Sequence, residues 1–144
     1  MYIPVSELKE RAGETVRVRG WLYNKRSSGK ILFLLLRDGT GVVQCVCEEK
    51  AFPSDVLEEY KKTPLESALE VEGKVREDPR APGGVEILAH FLRLISPAHL
   101  DYPIQKKEHS PAFLMDYRHL WIRTPRQNAI LRIRSALMYA IEQF

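Results

Sequence analysis

The sequence has few cysteines and no long apolar run. Cys45 and Cys47 are separated by one residue and have no cysteine or histidine cluster nearby, so we expect small core side chains in a reducing cytosol rather than metal ligands. No apolar run approaches the ~18–20 residues of a membrane span. The first residues lack the basic start and apolar stretch of a signal peptide. These absences argue against a membrane-spanning or secreted protein and predict a cytoplasmic one.

The sequence also lacks a recognisable catalytic motif. It contains no glycine-rich phosphate loop, no HExxH, no CxxC and no GxSxG. The four histidines show no metal-ligand spacing; they are His90, His99, His109 and His119. We therefore expect no catalytic site, no metal and no cofactor in this chain.

The net charge is small, but the charged residues are unevenly distributed along the chain. The 144 residues are 44% hydrophobic and 28% charged, as in an ordinary globular protein, and the net charge is +3. Residues 1–30 carry +4, residues 31–100 carry −4 and residues 101–144 carry +3. Such an asymmetry can steer a polyanion to one face.

The first hundred residues contain five strand patterns and one helix pattern. The predicted strands are Thr15–Tyr23, Ile31–Asp38, Val42–Glu48, Ala68–Glu77 and Val85–Ile95, with a helix over Pro53–Lys62. We expect turns at Ser27–Lys30 and at Asp38–Gly41, the second using glycines at positive φ. A helix between strands 3 and 4 is the connectivity of the OB-fold, a five-stranded Greek-key barrel, so we predict this mainly β fold over residues 1–100. An open five-stranded α+β sheet fits the same order but explains the two long hairpins less well.

The last 44 residues follow a different pattern. Residues 101–125 hold three prolines and little periodicity, which predicts an irregular hinge or linker. Residues 126–144 predict a helix without a stop signal, so we expect this helix to be truncated. Its apolar positions are Ile130, Ile133, Leu137, Ile141 and Phe144. A stripe of this kind needs a partner.

Strand alternation places an aromatic ring and an amide outside the barrel. If Leu32, Leu34 and Leu36 fill the interior, Phe33 faces outward, and Gln44 does so on the next strand. The cations predicted to flank them are Arg17, Arg19, Lys25 and Arg26. A ring can stack on a base, an amide can read its Watson–Crick edge, and cations contact phosphates, as single-stranded nucleic acid requires. The alternative, that Phe33 is a core residue, is left open by the pattern.

Several segments resemble the N-terminal anticodon-binding domain of class IIb aminoacyl-tRNA synthetases, whose anticodons share a central uridine. In the predicted barrel they are Gly20–Leu22, Phe33–Asp38 and Gly41–Cys45. The distal segments are most similar to the asparaginyl branch; they are Tyr102–Ser110, Phe113–Leu114 and Arg118–Arg123. The final helix, through Ile130–Leu137, resembles the start of motif 1, the family's dimer-interface helix.

The resemblance implies roles for individual residues. Phe33 matches the ring that stacks on the central uridine, and Gln44 matches the amide that reads it. Arg26, or Lys25 beside it, matches the arginine of the first hairpin. These two residues and Lys30 are expected to contact phosphates. Glu86 matches a glutamate near the anticodon loop, with a solvated strand position as the alternative. The helix face expected to meet a second subunit comprises Ile130, Ile133, Leu137 and Ile141.

The resemblance also implies a parent enzyme, a homodimer that attaches asparagine to its tRNA with ATP and Mg²⁺. Motifs 2 and 3 and the end of motif 1 are absent from the sequence, so we expect this chain to bind tRNA but to be inactive alone. Two rival interpretations are the anticodon domain of an aspartyl enzyme and a free-standing single-strand-binding OB protein. A third is a protein-interaction module that uses the apolar helix stripe.

Overall fold

The computed structural model describes residues 2–99, 102–104 and 107–144, which belong to two compact units, residues 1–100 and 101–144. The strands are β1 Thr15–Ser28, β2 Ile31–Arg37, β3 Val42–Glu48, β4 Ala68–Glu77 and β5 Val85–Ser96. The α-helices are α1 Ser54–Lys62, α2 Pro111–Asp116, α3 Arg118–Trp121 and α4 Pro125–Gln143, and 3₁₀ turns cover Val5–Arg11 and Pro82–Gly84.

The first unit is a closed barrel with the strand order β1-β2-β3-β5-β4. β3 and β5 pair in parallel, whereas the other neighbours, including the closing pair β1–β4, are antiparallel. Helix α1 connects β3 to β4. The predicted OB-fold barrel is therefore confirmed, and the open sheet is wrong, because closure pairs the two strands that an open sheet would leave as edges.

Alternating side chains fill the barrel as predicted. Leu32, Leu34 and Leu36 of β2 are buried, and so are Cys45 and Cys47 of β3. The other inward positions are Val16, Val18, Leu22, Val43, Leu69, Val71, Val75 and Ile87. Burial raises the pKa of the Cys47 thiol to about 12 and that of Cys45 well above its usual range. Both thiols therefore stay protonated and unreactive, as core side chains.

Both predicted hairpin turns differ in detail. Ser27 and Ser28 continue β1, and the turn itself is Gly29–Lys30, with Gly29 at φ +56°. The other turn does not use positive φ at its glycines. Its Asp38 carboxylate instead accepts hydrogen bonds from Thr40 N at 2.7 Å and from Gly41 N at 2.8 Å. The sequence pattern identified both turns but not the side-chain hydrogen bonds that form the second.

The Asp38 carboxylate also joins the turn to the N-terminal segment. Its Oδ2 accepts a hydrogen bond from Val5 N at 2.9 Å, where the 3₁₀ turn begins. Burial opposes ionisation, but the hydrogen bonds from Val5, Thr40 and Gly41 outweigh it and lower the pKa of Asp38. The same 3₁₀ turn brings Leu8 into the barrel core.

The second unit is more helical than the sequence suggests. Helices α2 and α3 lie within the segment predicted as an irregular linker. They have six and four residues, too few to show an apolar period. Gln105 and Lys106 of the hinge motif lie outside the described residues. Helix α4 agrees with its prediction to within one residue at its start. No helix in the described part of the chain is long and apolar enough to span a membrane.

Candidate nucleic-acid interface

Strand register determines which side chains are neighbours on the outside of the barrel, because paired residues project to the same face. One row, crossing β1, β2, β3 and β5, contains Asn24, Leu35, Gln44 and Glu86. The next row contains Arg26, Phe33, Val46 and Leu88. Phe33 and Gln44 therefore share the outer face, one row apart, as diagonal neighbours.

Phe33 lies beneath a guanidinium group on this face. The side chain is half-buried, whereas its strand neighbours Leu32 and Leu34 fill the core. The Arg26 Cζ lies 4.0 Å from the Phe33 ring centroid, a cation–π contact. A base entering here can replace the guanidinium on the ring or stack on the guanidinium plane. Phe33 is thus an outer-face residue, and the core alternative is wrong.

A chain of polar contacts joins Gln44 to β4 and β5. Gln44 Nε2 donates to Glu86 Oε2 at 2.8 Å, and Glu86 Oε1 accepts from Arg76 Nε at 2.9 Å and also from Arg76 Nη2. On its other side, Gln44 Oε1 lies a long 3.5 Å from Arg26 Nη2. Glu86 is only 1% exposed. It is therefore not the solvated strand residue that the sequence allowed as an alternative.

Arg76 is the member of this group that sequence reasoning missed. Alternation placed it on the outer side of β4, but nothing in the sequence linked it to Glu86. The link is the antiparallel β4–β5 register, which pairs the two residues directly. A loop of seven residues separates the two strands, so the register depends on its conformation rather than on the strand patterns.

Lys25 does not belong to this face. It pairs with the inward-facing Leu34, and its Nζ donates to the carbonyl oxygens of Thr63, at 2.5 Å, and Lys61. These carbonyls lie at the end of α1. Burial lowers the pKa of Lys25. The lysine therefore holds the end of α1 and does not lie beside Phe33, contrary to the sequence-based expectation.

Lys30 lies in the β1–β2 turn, on the same hairpin as Arg26 and Phe33. Its side chain is 85% exposed, with Nζ at 3.7 Å from the Glu49 carboxylate. An exposed pair at this distance holds the ammonium group weakly. The ammonium group of Lys30 is therefore accessible, and its contact with a phosphate stays a prediction.

Arg17 and Arg19 were expected to flank Phe33, but both are ion-paired beside β4. Arg19 Nε donates to Glu70 Oε2 at 2.8 Å, and Arg17 Nε donates to Glu72 Oε2 at 2.7 Å. Glu70 also accepts from Arg93 Nη2 at 2.9 Å. The register of β1 explains the difference, because its first half pairs with β4 and its second half with β2.

The family of the chain follows from its sequence as well as from this geometry. A family model for tRNA anticodon binding, described as an OB-fold nucleic acid binding domain, matches residues 16–95, more than half of the chain. The chain belongs to this anticodon-binding OB-fold family. The match covers the five strands almost completely and includes Arg26, Phe33, Gln44 and Glu86.

Similarity of this OB-fold chain to asparagine–tRNA ligases extends beyond the barrel. It is 51% identical over 143 residues to the asparagine–tRNA ligase of Symbiobacterium thermophilum, covering 99% of this chain and 32% of that protein. The Thermus thermophilus enzyme is 46% identical over 144 residues, which is 100% of this chain and 33% of the enzyme. The resemblance to the asparaginyl branch is thus confirmed. The chain spans about a third of the length of these relatives.

Solved structures support the same relationship. The crystal structure of asparaginyl-tRNA synthetase from Pyrococcus horikoshii, complexed with asparaginyl-adenylate, superposes with a TM-score of 0.90 at 38% identity. The superposition covers 99% of this chain and 33% of that one. The anticodon-binding OB-fold chain therefore shares both sequence and fold with one part of an asparaginyl enzyme.

Proposed function

We propose that this chain is the anticodon-binding part of an asparagine–tRNA ligase and that its Phe33 face binds the anticodon loop. The observation that carries the proposal is one cluster: the Phe33 ring, the Arg26 guanidinium above it, and the Gln44 amide in the adjacent row. These are a stacking surface, a cation and a group that can read a base edge. The family match supports the assignment to an anticodon.

In the proposed complex, the central uridine stacks on Phe33 and its Watson–Crick edge meets Gln44. Gln44 Oε1 accepts the N3–H of uracil, and the amide proton not used by Glu86 donates to O4. Arg26 and Lys30 contact the flanking phosphates. Stacking supplies sequence-tolerant affinity, whereas the amide supplies selectivity.

The proposed ligase would join asparagine to tRNA with ATP and Mg²⁺ in the cytoplasm. Among the described residues, no group of three or more His, Cys, Asp or Glu side chains could hold a metal ion. We assign the nucleotide and metal chemistry to the part of the ligase beyond the third that matches this chain. The role of this chain is to select the tRNA.

We also propose that the ligase is a homodimer and that α4 contributes to its interface. Ile133, Leu137 and Ile141 are spaced at helical intervals and are at least 59% exposed. Ile130, on the same stripe, is 47% exposed. Apolar side chains exposed in a continuous stripe favour a protein contact.

The test is binding of the chain to two RNA hairpins that carry GUU or GCU in the anticodon loop, at two salt concentrations. We expect tighter binding of the GUU hairpin, with a ratio of affinities that survives added salt. Phosphate contacts weaken with salt for both hairpins, whereas base reading does not. Equal affinities that fall steeply with salt would contradict anticodon reading and favour the single-strand-binding interpretation.

A further inference from the structure

The Gln44 amide is held between two groups of opposite hydrogen-bonding character. Glu86, ion-paired with Arg76, offers only acceptors, so the Gln44 NH₂ must face it. Arg26 offers only donors, so the Gln44 oxygen must face that side. The orientation of the amide therefore follows from the hydrogen-bonding character of its two partners.

The orientation matters because a flipped glutamine reads a different base. At a fixed base position, uracil presents the N3–H donor and the O4 acceptor, and it matches an amide whose oxygen faces N3. Cytosine presents the N3 acceptor and the N4 amino donor, so it places acceptor against acceptor and donor against donor. Turning the amide by 180° exchanges its two groups and makes cytosine the matching base. Stacking on Phe33 holds the base position in both cases.

We propose that Glu86 is a positioning residue that makes Gln44 select uridine over cytidine. The inference rests on the proposed function. Glu86 acts through Gln44 and not on the base itself. Glu86 does not need to contact the base, since it is 1% exposed and both carboxylate oxygens are occupied, one by Gln44 and one by Arg76. The arginine neutralises the carboxylate and keeps its second oxygen directed at Gln44.

The central experiment is the Glu86→Gln substitution, assayed with the GUU and GCU hairpins. Arg76 can only donate, so it binds the oxygen of the new amide and turns the new NH₂ toward Gln44. Gln44 must then present its own oxygen to that NH₂. This turn places the Gln44 NH₂ opposite N3 of the base, where the oxygen lies in the wild-type chain. We expect the wild-type preference for GUU, roughly 5- to 150-fold for one bidentate contact, to disappear or to invert in favour of GCU. Stacking on Phe33 remains, so total RNA binding is retained.

The matched control is Glu70→Gln. Glu70 is equally buried and paired with arginines, but its partners are Tyr2, Arg17, Arg19 and Arg93. This control makes the same chemical change, and we expect the GUU preference to remain. Gln44→Ala serves as the reference for a lost reader and removes the preference without inverting it.

A second variant keeps the proposal testable if Glu86→Gln does not fold. Arg76→Lys preserves the Glu86 carboxylate and a positive partner, so the acceptor still faces Gln44 and the preference for GUU should remain. Loss of the preference in Arg76→Lys would overturn the proposal. So would a folded Glu86→Gln variant, checked by its thermal melt, that keeps the wild-type ratio or weakens both hairpins equally. A wild-type chain without any preference would instead overturn the proposed function itself.

Discussion

At the residue scale, the proposed interface consists of side chains on the outer face of the barrel, whose neighbours are set by strand register. Phe33 supplies an apolar surface, and the Arg26 guanidinium covers it in the free chain. Under the proposed function, a base takes the place of the guanidinium on the ring, and the arginine then stacks on the base or binds a phosphate. The two residues are paired across β1 and β2, so the contact is set by register.

Replacing Phe33 with alanine should weaken binding of both hairpins. Stacking is worth about 1–3 kcal/mol per base by alanine substitution, and we expect the affinity for each hairpin to fall by an amount in this range. Titration of the hairpins measures the loss. Phe91→Ala is the control, since Phe91 is an exposed ring on β5 that pairs with Glu72, outside the two rows of the interface. Unchanged affinity in Phe33→Ala would refute the stacking role.

At the element scale, close approach of β4 and β5 aligns Arg76 with Glu86. Gly73 lies at the irregularity in this ladder, opposite Ala89. A Cβ at position 73 would lie 2.2 Å from the Leu88 carbonyl oxygen and 2.7 Å from Ile87 Cγ2. The backbone contact is the more serious, because a carbonyl in a ladder cannot move without breaking strand pairing. Absence of a side chain at this position is therefore a requirement of the barrel.

Gly73→Ala should destabilise the barrel by about 3 kcal/mol or more, at the upper end of overpacking effects. Urea unfolding followed by circular dichroism gives the change in the free energy of unfolding. Gly39→Ala is the matched control, because no atom lies within 4 Å of a Cβ at that position and its φ is not positive. We expect that variant to change stability by less than about 0.5 kcal/mol. Equal effects of the two substitutions would contradict this account of β4–β5 packing.

At the scale of the whole molecule, charged side chains on the barrel surface group into clusters, and two of these clusters are separate from each other. One includes Arg26, Gln44, Glu86 and Arg76, and the other surrounds Glu70. In the second cluster, the hydrogen bond from Arg19 stabilises the Glu70 carboxylate most strongly, and Tyr2 and Arg93 add to it. These contacts outweigh the cost of burial. Together they lower the pKa of Glu70 from 4.5 to about 2. This cluster ties β1, β4 and β5 together where the barrel closes.

Glu70 makes the stability of the barrel depend on pH in a defined window. Its pKa is lower in the folded chain than in the unfolded chain, so the contribution is complete above about pH 4.5 and is lost as the pH falls toward 2. The difference in stability between wild type and Glu70→Gln should therefore shrink over that range. Unfolding midpoints at several pH values measure it. A constant difference from pH 7 to 2 would contradict the assignment.

The assembly proposed for the ligase gives a prediction for the isolated chain. If α4 meets a second copy, the chain should self-associate with increasing concentration in sedimentation experiments. Leu137→Glu places a charge in the middle of the apolar stripe and should abolish association, while the melt of the barrel stays unchanged. Ser135→Glu, on another face of the same helix, is the control. A wild-type chain that stays monomeric at every concentration would contradict self-association through this helix.

By itself, the sequence determined the order of the five strands and the helix between β3 and β4. The run Ile31–Leu36 is apolar on both faces, so the sequence predicted an outward Phe33 only on the condition that Leu32, Leu34 and Leu36 fill the interior. The segments around Phe33 and Gln44 also sufficed to identify the family. Turn positions were predictable for the same local reason, although the hydrogen bonds of Asp38 were not.

Only the tertiary structure decided which outward residues meet. Lys25 and Arg26 are adjacent in sequence, yet one anchors the end of α1 and the other covers Phe33. Glu86 and Gln44 lie 42 residues apart, and they come together through the parallel β3–β5 pairing that completes the barrel. Pairing between distant strands depends on how the closed barrel packs its core, which no local pattern encodes. The sequence therefore predicted which side chains can share the outer face, and closure of the barrel decided the hydrogen bond that orients Gln44.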